Sequence, residues 1–295
     1  MKKILIIGGD SFIARNFIKR NHIFDIRCIS RKNTGFVNEE IIDDIFNLEV
    51  SHFKNIDIVL NFVAIVHQPM VNDPKLYHRI NSELPIYLAN CAKKAGVKQF
   101  IQMSSISVYG NYQFISINSP ETPITIYGQT KLLADIELTK LVTNNFIVSI
   151  IRPPMVYGES APGNMCKLIK LIKLRIPLPF KNIFNERHFI HIDNLCLFIQ
   201  LIINNRKGGI FLPSDRETIS TKAIIEKVSN ALNIKVIMLN APKRMILFLK
   251  NRKPNLYFSL FESCVIENKT QNQELKYNPI KTLDDGILEM ITKRK

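Results

Sequence analysis

The sequence predicts an α/β fold in which a doubly wound parallel sheet, with helices on both faces, is extended by a smaller C-terminal α/β domain. Up to about residue 151, apolar runs of strand length alternate with amphipathic segments of helix length, which is the pattern of a covered parallel sheet. Beyond Arg152, the short motifs PP, PG and PLP punctuate shorter segments. We therefore expect one domain over residues 1–152 and a second over residues 153–295.

Each element has its own signal. The apolar run KILII meets glycines at once and predicts the first strand, at residues 3–7. Similar runs predict five more strands, at residues 26–30, 40–42, 57–63, 99–104 and 146–151. Helical spacing predicts three helices in the first domain, at 12–20, 76–95 and 127–143, and three in the second, at 164–173, 194–204 and 220–232. Gly96 stands where a glycine often ends a helix, and the pattern is weakest near the C-terminus.

The composition is that of an ordinary globular protein. Its 295 residues are 46% hydrophobic and 22% charged, which excludes disorder, collagen and a disulfide scaffold. Five scattered cysteines without CxxC spacing favour a reducing compartment and suggest no zinc site. The late apolar run MILFL is far shorter than the ~20 residues of a membrane-spanning helix. We therefore expect a cytoplasmic protein without a transmembrane segment.

The formal net charge of +15 raises the question of anionic partners. The basic residues are dispersed and no nucleic-acid-binding motif accompanies them, so no nucleic-acid partner is expected. Residues 243–253, KRMILFLKNRK, combine basic and apolar side chains in a way that would suit peripheral contact with an anionic membrane. The plainer alternative is a surface helix that packs Met245, Leu247 and Leu249 onto the second domain.

The segment KILIIGGDSFIA, residues 3–14, reads as a strand, a tight turn and the start of a helix. In that context backbone N–H groups and the helix N-terminus can bind a pyrophosphate. Gly8 would make the turn, and Ala14 is small enough for close packing. Ser11 stands where a glycine would let the backbone approach the phosphates most closely, and its hydroxyl could donate to a phosphate oxygen instead. A plain strand-to-helix turn is the alternative for this motif alone.

The end of the second strand bears on the choice of dinucleotide. An enzyme selective for NAD usually has an acidic residue there, about 20 residues after the glycines, to bind the ribose 2′-hydroxyl. This sequence has Ser30 and Arg31 in CISRKN, a hydroxyl and a cation that favour a 2′-phosphate. The prediction is NADP(H), with NAD(H) as the alternative if Arg31 is only a solvated loop charge.

Two motifs, SSISVYG and IYGQTK, contain the candidate catalytic residues. Tyr127 and Lys131 are four residues apart, so a helix places them on one face. An ammonium near a phenol lowers its pKa from the usual value of ~10, which would let Tyr127 act as general acid or base. Ser105, at the end of a strand, could bind the same substrate oxygen.

Taken together, these motifs resemble the extended short-chain dehydrogenase/reductases, the NAD(P)-dependent epimerase/dehydratase group that modifies nucleotide sugars. The resemblance runs from Lys3 to about Asn194 and more weakly to residues 282–286. It implies a Rossmann-type sheet, a nucleotide-sugar-binding second domain that can interleave with the first, and a UDP-sugar substrate. It also implies a homodimer formed through the helices at residues 76–95 and 127–143.

The resemblance further implies a role for each site residue. Ser105, Tyr127 and Lys131 form the catalytic trio, and Asn81 supports the site. Cofactor contacts are expected from Gly8, Ser11, Phe12 and Ile13 at the phosphates, Asp44 and Ile45 near adenine, Phe62, Val63 and Ala64 beneath the adenosine ribose, Lys131 at the nicotinamide ribose, and Pro153 and Pro154 at the nicotinamide. Asn81 and Tyr127 are also expected among the cofactor-binding residues. Substrate contacts are expected from Ser105, Asn164 and Arg187.

The histidines give no expectation of a metal site. If HFIHID is a strand, His188 and His191 fall on opposite faces. His67 follows a buried strand and is interpreted as a structural, hydrogen-bonded histidine in preference to a cofactor contact.

The type of reaction is inferred from the two residues that follow Ser105 and from the residues at the end of the second strand. The dehydratases of the resembled family place Asp-Glu directly after the catalytic hydroxyl residue, whereas Ile106 and Ser107 occupy those positions here. Ser30 and Arg31 fit exchangeable NADPH better than a permanently held NAD. The segments RPPMVYG, GNMCKLIKLIKLRIPLPF and RHFIHIDNL also resemble the branch of the family that acts on UDP-linked N-acetylated 6-deoxyhexoses in bacterial surface-polysaccharide synthesis. The prediction is therefore NADPH-dependent reduction of a UDP-4-keto-6-deoxy-N-acetylhexosamine. The alternatives are a UDP-glucose or UDP-N-acetylglucosamine 4-epimerase and, from another class, a non-catalytic dinucleotide-binding sensor or scaffold.

Overall fold

A sheet of seven parallel strands forms the centre of the computed structural model, which describes residues 1–66 and 73–292. His67 lies outside the described residues. The strands are β1 Lys3–Ile7, β2 Asp25–Ser30, β3 Glu39–Ile41, β4 Ile58–Asn61, β5 Gln99–Met103, β6 Phe114–Ile115, β7 Ile147–Ile151, β8 Val156–Tyr157, β9 Ile190–His191, β10 Gly209–Phe211 and β11 Val265–Ile266. The helices are α1 Phe12–Arg20, α2 Pro74–His78, α3 Leu84–Lys94, α4 Ile126–Lys140, α5 Asn164–Lys173, α6 Ile192–Asn205, α7 Thr221–Leu232, α8 Lys243–Arg252, α9 Pro254–Phe261, α10 Lys269–Leu275 and α11 Leu283–Thr292.

The strand order of the sheet is β10-β7-β5-β4-β1-β2-β3. The chain winds outward from β1 in one direction through β2 and β3, and in the other through β4, β5, β7 and β10, which confirms the predicted doubly wound fold. The order reverses between β1 and β4, and in such sheets the crevice beyond the carboxyl ends of the strands at this point is the usual ligand site. The fold therefore directs attention to the segments that follow β1 and β4.

The sheet is buried on both faces because alternate residues of each strand point to opposite sides. Ile4 and Ile6 of β1 pack in one apolar cluster with residues of α1 and α6. Leu5 and Ile7 pack in a second cluster with residues of α3 and α4. The continuous apolar run of the first strand follows from this double burial.

Helices and strands beyond residue 152 contribute both to the large sheet with its covering helices and to a separate apolar cluster. The strand β10 pairs with β7 at the edge of the large sheet, and α6 belongs to the cluster that covers α1. A separate apolar cluster joins side chains of α5, α7 and α11, and β6 pairs with β11 and β8 with β9 in small two-stranded sheets. The chain therefore crosses the predicted boundary at residue 152 and returns to the large sheet.

The helix predicted at residues 76–95 is present over residues 74–94, and its hydrogen-bonding pattern changes in the middle. Residues Arg79–Glu83 form a π-helical turn between α2 and α3. Such turns are rare and often lie at functional sites, and this one contains Asn81. In the described part of the chain, no helix is both long and apolar enough to cross a membrane.

Candidate active site

The glycine turn after β1 brings the N-terminus of α1 to the switch point of the sheet. The N–H groups of Gly8 and Gly9 both donate to the carbonyl of Ile29, at 2.9 and 3.2 Å. Gly8 has a φ of +86°, and a Cβ there would lie 2.9 Å from Cγ2 of Val63. A larger residue would therefore fill the space between the turn and the segment after β4, which explains the need for glycine.

Ser11 caps α1, and Phe12 and Ile13 form its first residues. The Ser11 Oγ accepts a hydrogen bond of 3.2 Å from the N–H of Ala14. An accepting hydroxyl keeps its own hydrogen to donate, so Ser11 can both cap the helix and bind a phosphate oxygen. The turn fits the phosphates of a dinucleotide because it places a helix N-terminus and the Ser11 hydroxyl together at the switch point of the sheet.

At the end of β2, the structure separates the two residues that predicted NADP(H). Ser30 is fully buried, and its hydroxyl is hydrogen-bonded to the carboxylate of Glu39. Glu39 also accepts from the N–H and Oγ1 of Thr34, at 2.8 and 2.6 Å. Burial alone would raise the pKa of Glu39, but the hydrogen bonds outweigh it and the pKa lies below its ordinary value. A carboxylate therefore stands beside Ser30, while Arg31 is exposed.

The expected adenine contacts lie on the short 3₁₀ turn Ile45–Asn47. The Asp44 carboxylate caps this turn through the N–H of Phe46, at 3.0 Å, and forms an exposed ion pair with Arg79, at 3.3 Å. Ile45 is buried in the core beside the sheet. Asp44 therefore lies near the surface, while the side chain of Ile45 packs in the apolar core.

The segment after β4 is fixed by two asparagines. The Oδ1 of Asn61 accepts from the N–H of Val63, at 3.1 Å. Asn81 accepts from the N–H of Ile65 at 2.8 Å and donates to its carbonyl at 2.9 Å. Phe62 is buried in the core, and Val63 and Ala64 are half-buried at the switch point. Asn81 thus holds the segment after β4 in place, and its support of a bound cofactor stays a prediction.

The Ser-Tyr-Lys trio is assembled beyond the carboxyl end of β5. Ser105 lies beside the phenol of Tyr127 and favours its ionised form, while its Oγ donates to Ser107 Oγ at 3.0 Å. Ser105 Oγ is also held by the N–H of Ser107, at 3.1 Å. Lys131 is fully buried one turn along α4 from Tyr127, and its Nζ donates to the carbonyl of Met103 at 2.9 Å. The structure therefore brings together the three side chains that the sequence motifs predict.

Burial opposes ionisation of both titratable members of the trio. Burial raises the pKa of Tyr127 to about 12, although the Ser105 side chain favours the phenolate. Burial lowers the pKa of Lys131 to about 8, and the carboxylate of Asp135 works in the opposite direction. Tyr127 is therefore protonated near neutral pH, where it can donate a proton, and Lys131 carries its charge there.

A buried ionic cluster behind the trio was not foreseen from the sequence. Asp135 Oδ2 accepts from Ser104 Oγ at 2.7 Å and from Arg152 Nε at 2.9 Å. Arg152 is fully buried, donates to the Tyr109 hydroxyl at 2.8 Å, and pairs with Glu121 at 2.6 Å. The signal that could have revealed the cluster is a charged residue placed one further turn beyond Tyr127 and Lys131 on the same helix.

Two of the three expected substrate residues, Asn164 and Arg187, line a cleft of about 290 Å³ together with Tyr127, whereas Ser105 lies behind its neighbours Ile106 and Ser107 and is not part of the lining. Asn164 begins α5 at its edge, and Arg187 lies within it. The guanidinium of Arg187 donates to the carbonyls of Phe258 and Glu262, at 2.9 and 2.7 Å. Pro153 and Pro154 are buried, and the carbonyl of Pro153 accepts from the N–H of Ile106 at 3.2 Å.

The cleft includes side chains that the sequence did not predict. Asn255 and Phe258 of α9 form part of its lining, and the Phe258 ring lies 5.4 Å from the Arg187 guanidinium. These residues follow the weakly patterned basic segment, so no motif marked them. Their position was decided by the packing of α9 against the second domain.

The two histidines considered as metal ligands have separate structural partners. His188 Nδ1 accepts from the N–H of Ile266 at 2.9 Å, and burial lowers the pKa of His188 to about 4. His191 Nδ1 accepts from the N–H of Asp193 at 3.2 Å, and its Nε2 lies 3.3 Å from Glu289. No group of three or more His, Cys, Asp or Glu side chains is placed to hold a metal ion within residues 1–66 and 73–292.

Comparison with known proteins agrees with this geometry. Residues 4–212 match the NAD dependent epimerase/dehydratase family. A UDP-glucose 4-epimerase of Vibrio cholerae is 29% identical, with alignment over 97% of this chain and 93% of the relative. An Escherichia coli O157:H7 protein named N-acetyl-alpha-D-glucosaminyl-diphospho-ditrans,octacis-undecaprenol 4-epimerase is 25% identical over 81% of this chain and 75% of the relative.

Among solved structures, a UDP-glucuronic acid 4-epimerase from Bacillus cereus, in complex with NAD, has the same fold. Its TM-score is 0.78 at 21% identity, with 98% of this chain and 97% of that chain covered.

Proposed function

The chain belongs to the NAD-dependent epimerase/dehydratase family of enzymes, and on that premise we propose that it is a 4-epimerase of a nucleoside-diphosphate-linked hexose that retains NAD(H). The observation that carries the proposal is Tyr127 in the lining of the cleft, with Ser105 and Lys131 assembled behind it and the uncharged Ile106 and Ser107 beside it. A 4-epimerase needs one acid/base group at the sugar hydroxyl, whereas elimination of water needs an additional acid/base pair that these two positions do not supply.

The residues of this chain divide the work in a simple way. When bound, the nicotinamide supplies hydride acceptance and return. In its phenolate form Tyr127 would remove the proton of the carbon-4 hydroxyl and give it back, and Ser105 would hold the same oxygen. The charge of Lys131 would favour that phenolate, against the burial that disfavours it in the free protein. Arg187 and Asn164 lie where the diphosphate of the substrate would reach the cleft, and an arginine fork suits phosphate oxygens.

The carboxylate beside Ser30 supports NAD(H) in preference to NADP(H). Glu39 carries a negative charge within hydrogen-bonding contact of Ser30, and such a charge disfavours a 2′-phosphate at that end of β2 while suiting a 2′-hydroxyl. An epimerase must hold its cofactor through oxidation and reduction, so a site shaped for NAD(H) agrees with that reaction.

The curated relatives support a sugar carried on a diphosphate. The Vibrio cholerae relative is named for a UDP-sugar, and the Escherichia coli relative is named for a sugar diphosphate on a polyprenol. We take a UDP-linked hexose or N-acetylhexosamine as the first substrate to test.

The second candidate is the NADPH-dependent reduction of a UDP-4-keto-6-deoxy-N-acetylhexosamine. The exposed cation of Arg31, next to the end of β2, is the observation that favours it. The two candidates differ in whether an external reductant is consumed.

The experiment is to incubate the purified protein with UDP-glucose and, separately, with UDP-N-acetylglucosamine, with no added cofactor. The epimerase proposal predicts the galacto epimer from at least one of them. The Tyr127→Phe variant should lose turnover by roughly 10²–10⁴-fold, while the matched Tyr112→Phe variant, at a partly exposed tyrosine outside the trio, keeps it. No epimer from either sugar, together with NADPH consumption on a 4-keto sugar, would establish the reductase instead.

A further inference from the structure

The helix α8 lies on the surface with an apolar side turned outward. None of its ten residues is buried, and Leu247 and Phe248 are each 58% exposed. Met245, Ile246 and Leu249 are half-buried and form its inner side. The alternative in which Leu247 packs onto the second domain was therefore wrong, since this residue is on the outer side.

The surroundings of Leu247 and Phe248 are strongly basic. The chain has no Asp or Glu from residue 227 to residue 261. Lys243, Arg244 and Arg252 are exposed on the same helix, and in the described part of the chain none of them forms a salt bridge. We call these three basic residues, with Leu247 and Phe248, the outer α8 face.

The outer α8 face stands next to the substrate cleft. One residue, Lys253, separates α8 from α9, and α9 lines the cleft through Asn255 and Phe258. Lys250 of α8 lies over the ring of Tyr257 in α9, at 5.8 Å. A surface that bound the outer α8 face would therefore lie near the rim of the cleft.

We propose that the outer α8 face binds the anionic surface of a membrane. A helix with exposed Leu and Phe among lysines and arginines has the chemistry of an interfacial helix, which buries its apolar side chains at the lipid boundary while its cations meet anionic headgroups. A second copy of this chain fits less well, because a two-fold interface would bring the three cations of one face against the same three of the other. The proposal does not depend on which reaction the cleft catalyses.

The test is sedimentation of the full chain with vesicles of phosphatidylcholine and phosphatidylglycerol, with pure phosphatidylcholine vesicles as the reference. The wild type should bind the anionic vesicles, bind the neutral ones weakly, and be released by salt. The double variants Leu247→Ser with Phe248→Ser, and Lys243→Glu with Arg244→Glu, should each lower the partition coefficient by roughly tenfold or more. These variants should keep the wild-type turnover of a soluble substrate, which also shows that they fold.

The matched control is Leu288→Ser, at a leucine of α11 that is 53% exposed, and it should bind vesicles as the wild type does. Wild-type protein that stays in the supernatant with anionic vesicles would overturn the proposal, as would equal binding by both double variants. A dimer that is lost in Leu247→Ser with Phe248→Ser, without vesicle binding by the wild type, would assign the face to a second copy.

Discussion

At the scale of single residues, the acid/base chemistry depends on one face of α4. Tyr127, Lys131 and Asp135 follow each other at intervals of four residues, so they lie on the same side of the helix. Asp135 and Arg152 are both buried, and the Oδ1 of Asp135 has no hydrogen-bond partner among the described residues. A buried carboxylate placed one turn from Lys131 stabilises the ammonium, so Asp135 acts on Lys131 through its charge.

We expect kcat/KM of the free enzyme to fall as the pH rises through about 8, the value to which burial lowers the pKa of Lys131. Above that pKa the ammonium loses its proton and no longer favours the Tyr127 phenolate. The Asp135→Asn substitution removes a negative charge that raises the pKa of Lys131, so the fall should begin at lower pH. The measurement is the pH profile of kcat/KM for both proteins.

Glu121→Gln serves as the control, because Glu121 also pairs with Arg152 but is not among the groups that shift the pKa of Lys131. In Glu121→Gln, kcat/KM should fall with rising pH over the same range as in the wild type. A uniform loss of rate in Asp135→Asn with an unmoved upper limb would show that Asp135 has only a structural role.

At the scale of elements, the trio depends on how closely α4 approaches the turn after β5. Gly128 follows Tyr127 directly, and a Cβ at that position would lie 2.4 Å from the carbonyl oxygen of Ser107. This contact is with the backbone, so α4 or the turn would have to move. The glycine is therefore required for the close approach that joins Ser105 to Tyr127, despite its poor helix propensity.

The Gly128→Ala substitution should lower kcat by roughly tenfold or more, because a displacement of about 1 Å at a catalytic group has large effects on rate. The measurement is kcat together with the melting temperature. Gln129→Ala, at the exposed neighbouring position of the same helix, should leave kcat unchanged. Wild-type activity in Gly128→Ala would show that the approach of α4 is looser than the structure indicates.

At the scale of the whole molecule, local patterns predicted the sheet well and the second domain less well. All residues of β4, and all of β1 after Lys3, are buried, so their apolar runs stand out from the flanking polar segments. The trio could be predicted because two short motifs contain it. Asn255, Phe258 and the partners of Arg152 could not, since contacts between segments distant in sequence place them. The homodimer through α3 and α4 stays a prediction.

The structure explains only part of the net charge of +15, because it assigns a role to only a few of the basic residues. Arg187 faces the cleft, Lys131 belongs to the trio and Arg152 is neutralised in the buried cluster. A concentration of cations lies on α8, outside the cleft. Among the described residues, the cleft thus has one cation in its lining, Arg187, whereas α8 carries several. The expected partners of the two places differ: a sugar diphosphate and an anionic surface.

The most direct test of the proposed reaction follows the hydrogen at carbon 4 of the sugar. The enzyme is incubated in ordinary water with the accepted UDP-sugar deuterated at carbon 4, without added cofactor, and the product is analysed by mass spectrometry and NMR. Removal and return of the same hydride by a retained cofactor, with Tyr127 handling only the hydroxyl proton, predicts a 4-epimer that keeps its deuterium at carbon 4. Loss of the deuterium in the epimer, or its transfer to an external dinucleotide, would contradict the account.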